Sequence, residues 1–203
     1  DLDAALGDPT FSVFFEAAAT HQREASLKRA IDAGKNIYSE KPVALTAEHG
    51  LALTKAAEAK GLKHGAVEDK LYLPGLQKLS KLAASDFFGR VVGFRIEFGW
   101  WVFDGMFQPS QRPSWNYRRT DGGGMALDMC AHFRYILDRA IAPVTRIVCR
   151  TAIHQPRRAD ERGAEFDVDA DDAFYATMDL QGGAVATVAS SWATRLRRDD
   201  MLQ

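Results

Sequence analysis

The chain has 203 residues, of which 46% are hydrophobic and 26% charged, and its formal net charge is −1 at pH 7. This balance gives no electrostatic case for a nucleic-acid or anionic-membrane partner, and no apolar run approaches the ~20 residues of a transmembrane helix. Cys130 and Cys149 are the two cysteines, which suits a reducing cytoplasm better than a disulfide scaffold, so we expect a cytoplasmic protein of one or two domains.

The first third of the chain alternates short apolar runs with helical patterns. The predicted elements follow the order β-α-β-α-β, over residues 12–19, 22–34, 36–38, 46–61 and 62–67. Gly34 and Gly61 end the two helices, and Thr46 is a good N-cap for the second. The first strand reads as buried on both faces. This order is typical of a parallel, doubly wound sheet.

The rest of the chain predicts a different architecture. It contains an amphipathic helix, an alternating strand, a long Trp-, Gln- and Pro-rich loop, a second helix and three further strands, over residues 71–84, 94–98, 100–119, 125–139, 145–153, 173–180 and 184–192. Gln181-Gly182-Gly183 suggests a hairpin between the last two strands, and residues 160–172 read as a solvated acidic loop. We therefore predict an α/β part followed by an α+β part. Residues 1–68 form a partial Rossmann-like parallel sheet, and residues 69–203 form a mostly antiparallel open sheet with helices on one face.

A triple glycine, Gly122-Gly123-Gly124, precedes Asp128 and His132. Glycines let a backbone approach a ligand closely and can open a helix. The spacing of four residues places the carboxylate and the imidazole on one helical face. A carboxylate orients an imidazole and favours its protonated form, so the pair is suited to acid/base chemistry. The same spacing also occurs in ordinary surface helix pairs.

A lysine followed by proline closes the second predicted strand, in Ser39-Glu40-Lys41-Pro42. Ligands of open α/β sheets bind beyond the carboxyl ends of the strands. Pro42 restricts Lys41 to extended backbone geometry and permits a cis bond. A lysine fixed there can polarise a hydroxyl or carbonyl oxygen, although a surface lysine in a turn has the same sequence pattern.

Three motifs together resemble those of one family. Residues 34–42, Gly-Lys-Asn-Ile-Tyr-Ser-Glu-Lys-Pro, resemble a Gly-Lys-x-apolar-apolar-x-Glu-Lys-Pro segment of the glucose–fructose oxidoreductase / inositol dehydrogenase (Gfo/Idh/MocA) family. The glycines with Asp128 and His132 resemble its Gly-Gly-Gly…Asp-x-x-x-His helix. Ala18-Ala19-Thr20-His21 stands where members have a strand-end turn near the nicotinamide. The resemblance covers nearly the whole chain in order.

The resemblance implies NAD- or NADP-dependent oxidation or reduction of a small-molecule sugar or polyol. It gives His132 the role of general base for the substrate hydroxyl, with Lys41 holding that oxygen and Asp128 orienting the substrate or the imidazole. It also implies a homo-oligomer paired through the broad sheet, by analogy of fold. The residues that it implies for the cofactor pocket are Thr20, His21, Glu40, Lys41, Pro42, Trp115 and Arg118.

The chain departs from the family pattern in three respects. Cys130 stands where members usually have glycine, and Tyr135 where many have a second aspartate, which leaves substrate identity open. No Gly-x-Gly-x-x-Gly turn for the pyrophosphate occurs, since Leu127 stands where a third glycine would follow Gly122 and Gly124. We expect the chain to be the middle of a longer enzyme and to bind NAD(P) poorly by itself.

Three alternatives stay open. The same scaffold supports NAD-assisted glycoside cleavage or reduction of a non-sugar carbonyl. A non-catalytic binding or assembly fragment would use the open sheet beside Phe94 and Ile96. A metal site built on Asp128 and His132, with His154 or His21, is disfavoured because no His-Glu-x-x-His spacing occurs.

Overall fold

The computed structural model describes residues 1–99 and 103–194. The chain forms two compact units, Asp1–Val67 with Thr120–Gly122, and Glu68–Arg119 with Gly123–Gln203. Residues 100–102, which open the predicted Trp-rich loop, and residues 195–203 lie outside the described residues. No helix in the described part is long and apolar enough to cross a membrane.

The first unit is a three-stranded parallel sheet with helices. Its elements are α1 (Leu2–Gly7), β1 (Val13–Glu16), α2 (Thr20–Asp32), β2 (Asn36–Ser39), α3 (Ala47–Ala59) and β3 (His64–Ala66). The strand order is β1-β2-β3, and both pairings are parallel. The predicted β-α-β-α-β order is therefore confirmed. Thr46 caps α3 as predicted, because its hydroxyl accepts the backbone N–H of His49 at 3.2 Å.

The core of the first unit covers one face of its sheet. Leu27, Ala30 and Ile31 share a face of α2, as their spacing predicts, and pack with Leu53 and Ala57 of α3. The burial of the three α2 residues explains why the inner face of that helix could be predicted from the sequence.

The prediction that the first strand is buried on both faces is wrong for this chain. The helices lie on one face of the sheet, so the side chains of β1 alternate. Phe14 packs against the core, whereas Val13 and Phe15 are 58% and 52% exposed.

The second unit is a four-stranded mixed sheet with helices. Its helices are the 3₁₀ turns Asp69–Tyr72 and Ser114–Tyr117, α4 (Pro74–Ala84) and α5 (Met125–Ala140). Its strands are β4 (Gly93–Gly99), β5 (Val144–Ala152), β6 (Arg157–Ala159), β7 (Glu165–Asp167), β8 (Ala173–Leu180) and β9 (Val185–Ser191). A further 3₁₀ turn, Arg119–Asp121, lies where the chain enters the short segment Thr120–Gly122.

The main sheet of the second unit has the order β4-β9-β8-β5. The β8–β9 and β5–β8 pairs are antiparallel and the β4–β9 pair is parallel, so the predicted mostly antiparallel sheet is confirmed. Helix α5 buries Met125, Phe133 and Leu137 against one face of the sheet. Val148 and Tyr175 are exposed on the strands, which leaves the sheet open as predicted.

The prediction of a solvated acidic loop over residues 160–172 is wrong in its second half, because Glu165–Asp167 form β7 and Val168 and Ala170 are buried. Asp172 is 0% exposed. Its carboxylate accepts the backbone N–H groups of His154 and Gln155 at 2.8 and 2.9 Å, and it lies 3.8 Å from the Arg158 guanidinium. A buried carboxylate needs such partners because an isolated one would be costly to desolvate. Asp172 therefore joins the start of β8 to the segment before β6.

Candidate functional site

The triple glycine makes room for the chain's own backbone at the start of α5. A Cβ on Gly123 would lie 2.4 Å from the carbonyl oxygen of Asn116. Gly124 has φ +121° and is the N-cap of α5, and a Cβ on it would lie 2.9 Å from a carboxylate oxygen of Asp171. These two positions require glycine because protein atoms already occupy the space that a side chain would need.

Asp171 supplies the cap that Gly124 lacks. Its carboxylate accepts the N–H of Ala126 at 2.7 Å, and its backbone oxygen accepts the N–H of Met125 at 2.8 Å. Burial raises the pKa of Asp171 above its ordinary value, although the bond from Ala126 opposes this rise. A carboxylate at a helix N-terminus satisfies orphan donors and suits the helix dipole. This cap could not be predicted from the sequence, because Asp171 stands in a run of acidic residues far along the chain.

His132 is held on a buried face of α5. The side chain is 6% exposed, and its Nδ1 lies 2.6 Å from the hydroxyl oxygen of Tyr135, with the two rings edge to face. Oδ1 of Asp69, in the 3₁₀ turn that precedes α4, lies 3.7 Å from the same nitrogen. The Tyr135 hydroxyl lies 3.3 Å from that Oδ1 and receives the backbone N–H of Lys70 at 3.2 Å. A second element thus helps to fix the imidazole.

The charges around His132 favour an ionised Asp69 and a neutral Tyr135. Partial burial pushes the pKa of Asp69 upward. The Lys70 ammonium, which lies 2.6 Å from the carboxylate, His132 and the Tyr135 hydroxyl together outweigh that effect, so the pKa falls below its ordinary value. Burial raises the pKa of Tyr135 well above its ordinary value, and the neighbouring carboxylate adds to the rise. At neutral pH the site therefore contains a carboxylate and an intact phenol.

Asp128 lies one turn before His132 on α5 and is paired with the long loop. Its Oδ2 accepts a hydrogen bond from Nη2 of Arg112 at 2.7 Å. The same nitrogen donates to the side chain of Asn116 at 3.1 Å, and the guanidinium lies 4.2 Å from the centre of the Trp192 ring. Cation–π and charge-assisted contacts together hold the Arg112 head group in place. The long Trp-, Gln- and Pro-rich loop thus supplies a residue, Arg112, that the sequence did not single out.

The Glu-Lys-Pro motif lies at the carboxyl end of β2 in the first unit. Glu40, Lys41 and Pro42 are half-buried, and the Lys41–Pro42 bond is cis. The buried guanidinium of Arg23 donates to the carbonyl oxygen of Ala18 at 2.6 Å and also to that of Pro42. One side chain therefore joins the loop after β1 to the loop after β2, at the edge where ligands of such sheets bind.

The strand-end turn belongs to the same edge. Thr20 is buried at the start of α2, where a Cβ on Gly122 would lie 2.9 Å from its own Cβ. Nδ1 of His21 lies 3.0 Å from the carbonyl oxygen of Asp121. Glu16, at the end of β1, accepts the N–H of Ala18 at 2.6 Å. The loops after β1 and β2 are thus held side by side at this edge of the sheet through Arg23.

Trp115 and Arg118 lie in the second unit, in and after the 3₁₀ turn Ser114–Tyr117. The Arg118 guanidinium lies 4.4 Å from the centre of the Phe166 ring and donates to the Ser114 hydroxyl at 3.2 Å. Their predicted contact with the cofactor stays a prediction. The three predicted catalytic residues thus belong to different units. Lys41 lies in the first unit, and Asp128 and His132 lie in the second.

Within residues 1–99 and 103–194, no three His, Cys, Asp or Glu side chains gather as metal ligands would. Burial raises the pKa of the Cys130 thiol, which agrees with a packing role for this residue.

Comparison with known proteins decides the family. The family model of the GFO/IDH/MocA C-terminal domain matches residues 76–203. The chain belongs to this family. It is 46% identical over 207 aligned residues to a D-xylose dehydrogenase of Paenarthrobacter nicotinovorans, an alignment that covers 100% of this chain and 53% of the relative. The chain thus spans about half the length of the curated relatives it matches.

Solved structures show the same fold at lower identity. Levoglucosan dehydrogenase in complex with NADH and L-sorbose matches with a TM-score of 0.85 and 23% identity, over 98% of this chain and 53% of that one. A super-repressor mutant of Gal80p from Saccharomyces cerevisiae matches with a TM-score of 0.85 and 15% identity, over 100% of this chain and 55% of that one. A dehydrogenase and a repressor share this fold, so the fold alone does not fix the activity.

Proposed function

We propose that the complete protein containing this chain is an NAD- or NADP-dependent dehydrogenase that oxidises a hydroxyl group of a sugar. The observation that carries this proposal is the buried imidazole of His132, whose Nδ1 lies 2.6 Å from Tyr135 and 3.7 Å from the carboxylate of Asp69. A general base needs a fixed ring and a neighbouring group that stabilises its charged form. The identity of 46% to a D-xylose dehydrogenase supports an aldopentose as the substrate.

In the proposed reaction, Nε2 of His132 takes the proton of the substrate hydroxyl while the C–O bond becomes a carbonyl. A bound NAD(P) would supply the hydride acceptor for the same carbon. Lys41 of the first unit polarises the oxygen from which the proton leaves, and Asp128 binds another hydroxyl of the sugar or orients His132. The family resemblance supports the assignment of Lys41 and Asp128.

For the cofactor, we propose that Thr20, His21, Glu40 and Pro42 form the nicotinamide pocket. Support comes from the first unit, where the Arg23 guanidinium bonds to the carbonyl oxygens of both strand-end loops. Trp115 and Arg118 complete the pocket by family resemblance alone.

The direct test is a spectrophotometric assay of the complete protein with D-xylose and with either NAD or NADP. The proposal predicts accumulation of reduced nicotinamide in proportion to the sugar consumed. Release of a free sugar from a glycoside without net reduced nicotinamide would instead support the glycoside-cleaving alternative. No turnover with either substrate class, together with binding of a protein partner, would support the non-catalytic alternative.

We also propose that the complete protein is a homo-oligomer that pairs through the open face of the main sheet. The exposed side chains of Val148 on β5 and Tyr175 on β8, which lie on the same open face of the sheet, support this proposal. Light scattering of the purified protein measures the state directly, and a monomer at micromolar concentration would contradict it.

A further inference from the structure

Tyr135 occupies the position at which many family members have a second aspartate, and its hydroxyl faces three groups. Nδ1 of His132 lies 2.6 Å from the oxygen, the N–H of Lys70 lies 3.2 Å from it, and Oδ1 of Asp69 lies 3.3 Å from it. A phenol has one hydrogen to donate and two lone pairs to accept with. The direction of each bond around this oxygen therefore follows from what its neighbours can do.

Two of the three neighbours have fixed roles. The backbone N–H of Lys70 can only donate, so it uses one lone pair of the hydroxyl. The carboxylate of Asp69 can only accept when ionised, and the net effect of its surroundings keeps its pKa below the ordinary value. The single hydrogen of the hydroxyl is then best directed at Asp69, although 3.3 Å is longer than the usual O–H···O distance.

The opposite arrangement would be repulsive. If the hydroxyl donated to Nδ1, its only hydrogen would be turned away from Asp69, and the phenol oxygen would present lone pairs to the carboxylate at 3.3 Å. With the hydrogen on Nδ1 instead, the ring donates to Tyr135, whose own hydrogen stays directed at Asp69. Electrostatics thus favours the second arrangement, and a hydrogen on Nδ1, a nitrogen 3.7 Å from the carboxylate oxygen, adds to the preference.

We infer that Tyr135 and Asp69 together hold His132 in the tautomer that carries its hydrogen on Nδ1, and that Tyr135 is a positioning residue for the base. This inference rests on the proposed role of His132. The tautomer leaves Nε2 without a hydrogen, so that Nε2 is the nitrogen that takes the substrate proton. When that proton arrives, the Asp69 carboxylate stabilises the imidazolium through the hydroxyl. The Tyr135 hydroxyl thus transmits to His132 the electrostatic effect of the Asp69 carboxylate, which lies on the 3₁₀ turn before α4.

The test is a nuclear magnetic resonance measurement of the ring nitrogens in the complete protein, labelled with isotopic histidine. Loss of signals in His132→Gln assigns the His132 resonances. The inference predicts that Nδ1 carries the hydrogen in the unsubstituted protein. Tyr135→Phe and Asp69→Ala should each shift the population toward hydrogen on Nε2, because each removes one link of the relay. Both variants keep the packing of the Tyr135 ring, and the same spectra report whether they fold.

Tyr175→Phe is the matched control. His154 also contacts a tyrosine hydroxyl, with its Nε2 3.1 Å from the oxygen of Tyr175, but the pair is exposed. Its substitution should change the His154 signals and leave those of His132 in place.

Kinetics of the same variants separate this inference from the proposed function. Tyr135→Phe should lower kcat/KM by about tenfold, less than the 10²–10⁴-fold contribution typical of a general base. Hydrogen on Nε2 in the unsubstituted protein, or an unchanged tautomer in both relay variants, overturns the inference even if His132 is essential for turnover. Turnover that persists in His132→Gln overturns the proposed function while the tautomer result stands.

Discussion

The described part of the second unit contains two contacts between a histidine and a tyrosine, and they differ in what surrounds them. His132 is buried, and its tyrosine also contacts a carboxylate and a backbone N–H from a different element. His154 contacts Tyr175 on the exposed face of β8, and its position depends on Asp172, which accepts its backbone N–H. The comparison shows that the residue pair itself has no fixed role. A third group and burial make the first contact suitable for proton transfer, whereas the second is part of the scaffold.

The largest expected effect follows from replacing each histidine in turn. His132→Gln should lower kcat of the complete protein by about 10²–10⁴-fold, because the proton acceptor is lost. His154→Gln should change kcat by less than about twofold, since surface substitutions away from the site have small effects. Steady-state kinetics with reduced-nicotinamide detection measures both. Equal losses of kcat in the two variants would show that the two histidine–tyrosine contacts do not differ in function.

Removal of the Asp172 carboxylate, which holds the backbone of His154, should lower stability rather than change catalysis. Asp172→Ala removes the acceptor of two backbone N–H groups and a buried carboxylate 3.8 Å from the Arg158 guanidinium. We expect the free energy of unfolding to fall by about 3–5 kcal/mol, as for other broken buried charge pairs. Denaturant unfolding measures the change. Asp179→Asn, in an exposed pair with Arg146, should change it by about 0.5 kcal/mol or less, and a similar loss there would contradict the account.

A smaller effect is expected from the Arg112–Asp128 pair, whose carboxylate lies one turn before His132 on α5. Arg112→Lys replaces a planar fork by a point charge, so the contacts to Asp128, Asn116 and the Trp192 ring cannot all persist. We expect kcat/KM to fall by about tenfold, a change worth about 1.4 kcal/mol. The control Arg134→Lys alters an exposed pair with Asp138 on the same helix and should leave kcat/KM within about twofold. Unchanged kcat/KM in Arg112→Lys would contradict a role for Asp128 in substrate binding that depends on its pairing with Arg112.

The smallest effect is a displacement of the pH profile. The charged and titratable groups near His132 include Tyr135 and, one turn earlier, Asp128 on α5, and Asp69 with its partner Lys70 on the 3₁₀ turn. Asp69→Asn removes a negative charge that favours the imidazolium, so His132 should become neutral, and active as a base, at lower pH. The acidic limb of kcat/KM should move to lower pH, and the movement should be small because solvent screens a half-exposed carboxylate.

Lys70→Gln is the counterpart of opposite sign. It removes the cation that lies 2.6 Å from Asp69, so the field of the carboxylate at His132 becomes stronger and the limb should move to higher pH. Shifts in the same direction for both variants would exclude an electrostatic cause.

The sequence predicted what depends on local pattern. Spacing of Leu27, Ala30 and Ile31 identified the buried face of α2, alternation around Ile96 identified β4, and Thr46 was placed as an N-cap. The family motifs identified Lys41, Asp128 and His132, whose roles remain to be tested. Each of these patterns lies within a few neighbouring residues, so it is visible in the local sequence.

Contacts between distant segments could not be read in this way. Asp171 caps α5, Asp69 faces His132 through Tyr135, and Arg112 bonds to Asp128. In the sequence these residues stand in an acidic run, a turn and a loop, with no periodicity to distinguish them. The exposed face of β1 was misread because its apolar run lacks the alternation that its burial shows.

The most direct test of the account is a crystal structure of the complete protein with NAD(P) and a bound sugar. The account predicts that Nζ of Lys41 and Nε2 of His132 both lie within hydrogen-bonding distance, about 2.6–3.2 Å, of a single sugar hydroxyl oxygen. That oxygen should be on the carbon nearest to the nicotinamide. A complex in which the lysine and the histidine face different cavities, or in which another group contacts the reacting hydroxyl, would contradict the account.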